Sequence, residues 1–306
     1  MTEKNIRDAM TPLPPIRDAM TPPPLPNDAK GAEDETLNDL PLSIAMRKAT
    51  RKIHRESDAL VNLKLVYAFT YPALYAEAIG LFYPIYRSLE SLILASPSPS
   101  LRPFAALLVQ LKLQRTAAFE VDIAYHSRGE WIEKTNDPSC PPALLTYLAR
   151  LEACAKDDPD LLVVYAYHMY MALLSGGQIL KRLTTKFLLP KKGKAGTGVQ
   201  QDGKEKGLAL YTFETEKTEE IKAALRAAVD AVEGKGGVRN TERRQAFLNE
   251  SIRLFHMNNE VVRSFEPSRA GRCKLRVVIC LVLLSLLLFL VLLGRGLRWC
   301  FSFSPL

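Results

Sequence analysis

From Pro41 to Glu266 the apolar residues recur at helical spacing, and the prolines fall mostly between the periodic stretches rather than inside them. Residues three and four apart share one face of an α-helix, whereas a half-buried strand alternates every second residue. Such alternation is scarce here, so the folded part is limited to an all-α domain. The first helix is expected to start at Ser43 as N-cap and to run past Asp58, with Ile44, Arg47, Arg51, His54 and Val61 along one side. Later helices are expected over Pro72 to Ile93, Pro103 to Ala124, Pro142 to Ala155, Asp160 to Leu188, Glu216 to Glu233 and Thr241 to Ser264. The stretch 190–207, with KKGKAGTGVQQDGKEK at its centre, has no period and is rich in Gly and Lys; it reads as a mobile loop.

Both ends lie outside this pattern. Residues 1–40 carry the heptapeptide IRDAMTP twice, at Ile6 and at Ile16, between proline-rich spacers and before an acidic run. Such a segment cannot bury enough apolar surface to offset its ordering entropy, and it reads as a disordered tail. At the other end, VVICLVLLSLLLFLVLL from Val277 to Leu293 contains no charge, and Ser285 is its one polar side chain. As a helix it would span roughly 26 Å at ~1.5 Å per residue. A soluble helix of that length would carry a polar stripe, so a single transmembrane helix over 277–294 is the expectation.

Arg269, Arg272, Lys274 and Arg276, in the basic linker 267–276, outnumber Arg295 and Arg298 beyond the span. Positive charge favours the cytosolic side, which puts the large N-terminal part there. With so short a tail (295–306) after the span, the layout is that of a tail-anchored protein, and the endoplasmic reticulum membrane is the expected location.

Five cysteines lack any C-x-x-C spacing, which speaks against a disulfide framework or a zinc site. The net charge of +8 comes partly from the basic flank and the Lys-rich loop, so a nucleic-acid partner is not implied. No flavin or dinucleotide motif is present.

Inside the long apolar run from Leu161 to Arg182 stands LSGGQILK. Two adjacent glycines cost a helix roughly 2 kcal/mol relative to alanine. Gly176 and Gly177 therefore serve either a kink or close helix packing, or they let a flat ligand lie against the backbone. His54 offers the imidazole that commonly ligates haem iron, with Arg47 and Arg51 on its own face. Lys222 and Arg226, four residues apart on a later helix, form a second cationic pair beside Glu219 and Glu220, and with Arg47 they can hold the two propionates of a haem edge. Each of these taken alone is equally a packed or solvated residue.

Together they resemble the haem oxygenase family over roughly Leu42 to Glu266. The likeness runs through ATRKIHRESDALVN around His54, YPIYRSLESLI at Tyr83 to Ile93, TAAFEVDIAYHSRGEW through Trp131, LLVVYAYHMYMALLSGGQILKRL at Leu161 to Leu183, and GLALYTFE from Gly207. The resemblance implies a monomeric haem oxygenase-like domain that binds haem b as both substrate and prosthetic group. It implies oxidative opening of haem to biliverdin, carbon monoxide and ferrous iron, with O2 and electrons from a membrane-bound NADPH-dependent flavoprotein reductase. By the same resemblance His54 is the proximal iron ligand and Leu161 to Leu183 the distal helix. Ser175, Gly176, Gly177 and Gln178 are its signature, Arg47, Lys222 and Arg226 hold the propionates, and Tyr167 and Tyr86 are aromatic positions at the pocket.

Leu173 departs from the family, since many members carry there an aspartate that orders distal water, and Ala172 replaces a haem-contacting glycine. Leucine can neither accept nor donate a proton, so a water chain on the backbone of Ala172 to Gly176, or on Tyr167, is the expected substitute. His168 is the nearest titratable group in sequence, although helical geometry turns it away from Leu173. His126 and His256 read as surface or packing residues, and Cys140-Pro141 as the turn before a helix rather than a haem-sensing dipeptide.

Overall fold

The structure is a computed structural model that describes residues 39–131, 140–190, 206–213, 217–233 and 241–266, together with Leu37, Glu133 and Thr135. All the helices named below belong to the unit that begins at Leu40. They are α1 (Leu42–Ala49), α2 (Arg51–Ala68), α3 (Pro72–Gly80), α4 (Tyr83–Ala95), α5 (Arg102–Gln110), α6 (Thr116–Ser127), α7 (Pro142–Asp157), α8 (Leu162–Leu174), α9 (Gly176–Phe187), α10 (Thr218–Glu233) and α11 (Thr241–Ser264). Two single 3-10 turns, Pro159–Leu161 and Ala209–Tyr211, join them, and no strand occurs among the described residues.

The all-α expectation holds, but four of the expected helices are each broken in two. Thr50 separates α1 from α2, its Oγ1 turned back to donate to the Met46 carbonyl at 2.8 Å. Its backbone at φ −90°, ψ 0° departs from the helical value. Between α3 and α4 the chain turns at Leu81 and Phe82, ahead of Pro84, which has no N–H to continue a helix. After α5, Lys112 takes the left-handed conformation at φ 50°. Arg115 covers the freed carbonyls of Lys112 and Leu113 at 2.8 Å each. The fourth break, at Ser175, belongs to the site described below.

Ser43 is not an N-cap. Pro41 stands at that position without a side-chain bond, and Ser43 lies inside α1, where its N–H and Oγ donate to Asp230 of α10 at 2.8 and 3.1 Å.

Helix α8 forms the centre. Leu162, Val163, Val164, Tyr165, Ala166 and Tyr170 are at most 1% exposed, so it is apolar on nearly every side, as only a helix surrounded by others can be. It packs against α4, α7, α9, α10 and α11. Helix α2 lies along α11, and α10 lies against α1 and α8, presenting Ile221, Leu225, Ala228 and Val229 at helical spacing to the interior. Among the described residues no helix is long and apolar enough to cross a membrane. The expected span at 277–293, its basic flank, the short tail after it and residues 1–36 lie outside the described residues, as do 191–205 of the Gly/Lys-rich loop.

Candidate functional site

His54 sits on α2 one position after the buried Ile53, so it points away from the core and its side chain is 57% exposed. Four residues on, Asp58 comes beneath it, with Oδ2 3.0 Å from Nδ1. A carboxylate only accepts, so a neutral imidazole paired with it carries its proton on Nδ1 and leaves the Nε2 lone pair for a ligand. The other side of the imidazole meets Phe255 of α11, ring centroids 5.4 Å apart.

Phe255 also meets His168 of α8 edge-on at 5.2 Å, so one aromatic ring bridges α2 to the central helix. The Nε2 of His168 is buried and has no hydrogen-bond partner among the described residues. Burial drives this imidazole down to about 3, and the neighbouring His54 pushes the same way; it is a neutral group at physiological pH. His168 lies one helical turn before Ala172 on the same face, and Ala172, Ser175 and Gly176 are exposed in succession.

Helix α8 ends at Ser175, whose φ of −115° and ψ of −80° break the helical run, and α9 starts at the next residue. The two glycines part company at this break. A Cβ on Gly176 would meet none of the described residues within 4 Å, whereas one on Gly177 would lie 3.2 Å from the Tyr211 ring. Gly176 thus keeps an open backbone surface, and Gly177 serves close packing. Gln178 faces the same packed side, donating from Nε2 to the Tyr211 carbonyl at 3.1 Å.

The basic residues come from two helices, α1 and α10, and meet at a tyrosine of α8. Tyr167 of α8 is 4% exposed; burial pushes its hydroxyl up, while the charges of Arg226 and Arg47 pull it down and that of Asp230 pushes it up. Arg47, Tyr167 and Arg226 therefore share one edge. Lys222 stands one turn before Arg226, only 14% exposed, with its Nζ 2.9 Å from Glu219. Arg51 projects into solvent from the start of α2.

Leu173 is 8% exposed and turns toward a different set of groups. Tyr86 of α4 donates to the Met169 carbonyl at 2.9 Å, the carbonyl that the Leu173 N–H addresses in an α-helix. Tyr170, three residues before Leu173, donates to Glu90 at 2.7 Å. That carboxylate is 3% exposed and accepts also from the Arg115 N–H at 2.5 Å and the Thr116 Oγ1 at 2.5 Å.

Asp58, Phe255 and Glu90 are absent from the residues chosen on sequence. Asp58 carried a readable signal, an acid at i+4 from a candidate ligand; Phe255, about 200 residues from His54, carried none. Cys140 and Pro141 line a separate cavity of about 520 Å3 with Trp131 and Phe265, containing none of these site residues. His126 is buried, a packing residue.

Comparison with known proteins identifies the family. The family model described as Heme oxygenase matches residues 40–264. Heme oxygenase 1 of Homo sapiens is 30% identical over 242 residues, covering 75% of this chain and 77% of that protein. Among solved structures, heme oxygenase 2 from Chlamydomonas reinhardtii without heme is 27% identical with a TM-score of 0.63, over 75% of this chain and all of that one. Heme oxygenase-1 from the cyanobacterium Synechocystis in complex with heme is 21% identical, covering 81% of this chain and 100% of that one; its TM-score of 0.60 shows the shared fold. With its helical architecture, its histidine beside the central helix and a matching family model over most of its length, the chain belongs to the haem oxygenase family.

Proposed function

We propose that this protein binds haem between α2 and the α8–α9 junction and opens it oxidatively to biliverdin, carbon monoxide and ferrous iron, using O2 and electrons from an NADPH-dependent flavoprotein reductase. The observation that carries the reading is the pairing of His54, held through Nδ1 by Asp58 at 3.0 Å, with an open backbone surface at Gly176. A flat macrocycle fits these residues: a lone pair for its iron, a glycine surface for its face, and Arg47, Arg226 and Lys222 for its two carboxylates. The orphaned Nε2 of His168 on the same face is a polar atom awaiting a partner.

Bound haem would supply the iron at which oxygen is activated and the carbon skeleton that is opened. His54 would hold the iron, and Arg47, Lys222 and Arg226 would fix which way round the ring lies. Ser175, Gly176 and the backbone from Ala172 to Gly176 would form the wall of the site on the α8–α9 side. Leu173 can hold no proton, so ordered water must take its bonds from backbone groups there or from the Tyr167 hydroxyl. Tyr170 and Glu90 form a buried hydrogen-bonded pair on the Leu173 side of α8.

The monomeric domain is held at the cytosolic face of the endoplasmic reticulum by residues 277–294. A second reading, a haem binder that does not turn over, draws on one feature: Leu173 is buried and apolar. The chain truncated before Gly271, given haem, reductase and NADPH, separates the two. Wild type should convert a Soret band to bilin absorbance with iron release, and His54→Ala should lose the axial ligand. A stable Soret band without bilin supports the binder and overturns turnover, and no Soret band overturns both. Fractionation of the full chain beside the truncated one tests the anchor.

A further inference from the structure

The segment 206–213 crosses behind α9 and is fastened mainly by one face of α6. Asp122 and His126 stand four residues apart on that helix. The two oxygens of Asp122, a fully buried residue, accept the Ala209 and Leu210 N–H groups at 2.9 and 2.8 Å. His126 donates from Nε2 to the Gly207 carbonyl at 2.9 Å. Gly207 takes φ +80°, and a Cβ there would sit 2.6 Å from the Tyr125 ring, so only glycine passes. From the far side Arg115 donates to the Thr212 carbonyl at 2.9 Å and lies over the Phe213 ring at 4.4 Å.

These fastenings leave Tyr211 a single place. Its hydroxyl is 2.8 Å from that of Tyr75, its carbonyl accepts Gln178 at 3.1 Å, and its ring is the surface against which Gly177 packs. We propose that Asp122 is a positioning residue for the distal side of the site: by fixing Ala209 and Leu210 it sets Tyr211 as the stop on which α9 begins, and so sets the bend at Ser175 that holds Gly176 open. The consequence for haem rests on the function proposed above; the mechanical link from Asp122 to Ser175 does not. A carboxylate suits the task because it accepts two N–H groups at once, where an asparagine amide would accept one and turn a donor on the other. Burial raises Asp122 to about 6, with the two N–H groups and Arg115 pulling it down, so its charge is kept at neutral pH.

The test is amide hydrogen exchange on the haem-free protein, for wild type, Asp122→Asn and Tyr211→Leu, followed by haem titration of each. Asp122→Asn should speed exchange about tenfold or more at Ala209 and Leu210, and also at Gln178, whose N–H donates to the Ser175 carbonyl at the bend, while α2 and α11 stay protected as a check on folding. Tyr211→Leu should speed exchange at Gln178 but leave Ala209 and Leu210 as they are. Both should bind haem several-fold more weakly. Faster exchange at Ala209 and Leu210 with unchanged protection at Gln178 would overturn the proposal and leave Asp122 a local fastening. So would Tyr211→Leu without effect on Gln178. If Asp122→Asn fails to fold, the Tyr211→Leu profile alone decides. Failure of wild type to bind haem would count against the function proposed above and not against this link, which exchange reads directly.

Discussion

Replacing Asp58 by alanine separates two quantities that mutations at haem sites usually confound, the stability of the fold and the set of the ligand. In the haem-free protein the His54–Asp58 pair is 57% and 62% exposed and spans one helical turn, so its contribution to folding is about 0.3–0.5 kcal/mol. For a helical domain of this size that is a melting shift of about 1–2 °C. With iron on Nε2, the same carboxylate orients the ring and strengthens the ligand; removing such a partner lowers metal affinity about 10–100-fold, or roughly 1.4–2.7 kcal/mol. The two effects differ several-fold in energy and are read by different assays. Thermal melts without haem should barely separate wild type from Asp58→Ala, while Soret titrations at ~0.15 M salt should. Asp58→Asn, which retains an acceptor, should fall between, and His54→Ala sets the floor. If Asp58→Ala binds haem as tightly as wild type while His54→Ala does not, the carboxylate plays no part in setting the ligand, and the argument from the 3.0 Å bond fails.

Three further outcomes are expected. Gly176→Ala, whose methyl meets nothing within 4 Å, should raise the haem-free melting point through a helix-propensity gain of up to about 1 kcal/mol while weakening haem binding; a tighter complex would place the haem face elsewhere. Glu250→Gln removes an acceptor that takes Arg150 at 2.9 and 2.7 Å and the Tyr165 hydroxyl at 2.5 Å, and should cost about 3–5 kcal/mol in urea titrations. Burial raises this carboxyl, but bonds from Arg150 and Tyr165 and the charges of Arg150 and Arg253 outweigh it, leaving the folded value below the ordinary 4.5. Its contribution is therefore present above that ordinary value and is lost as pH falls through the lowered one, so the gap between wild type and variant should narrow there. Finally, the Ala209 and Leu210 amide proton shifts should titrate together with a midpoint of about 6, the raised value of Asp122; because folding raises this group, its protonation adds stability as pH falls from about 6 to 3.8, and global melts should not weaken in that window on its account.

The helices were legible because their apolar faces are long, and Thr241–Ser264 ends where its periodicity does. The breaks at Thr50 and Ser175 were not, since each costs little of the helical phase and the apolar pattern runs on through it. His54, Arg47 and Arg226 could be picked out by residue type and Tyr167 by the family resemblance, and the structure does bring Arg47, Tyr167 and Arg226 to one edge. What sequence could not give is which of two adjacent glycines faces open space, because that depends on Tyr211, some 34 residues downstream. Asp122 and His126 were hidden for the same reason: their partners lie 81 to 88 residues away, beyond any local pattern.

The clamp on 206–213 bears on where this chain tolerates insertions. The chain leaves α9 at Leu188 and Leu189, whose N–H groups both return to the Thr184 carbonyl, and it is fastened again at Gly207. With both ends pinned, the length between them is mechanically uncoupled from the haem face. Doubling a connection of this kind costs only about 0.6 kcal/mol in closure entropy. Residues 191–205 are therefore the natural place for a reporter or a tethered reductase, fused in line and leaving the bend at Ser175 undisturbed.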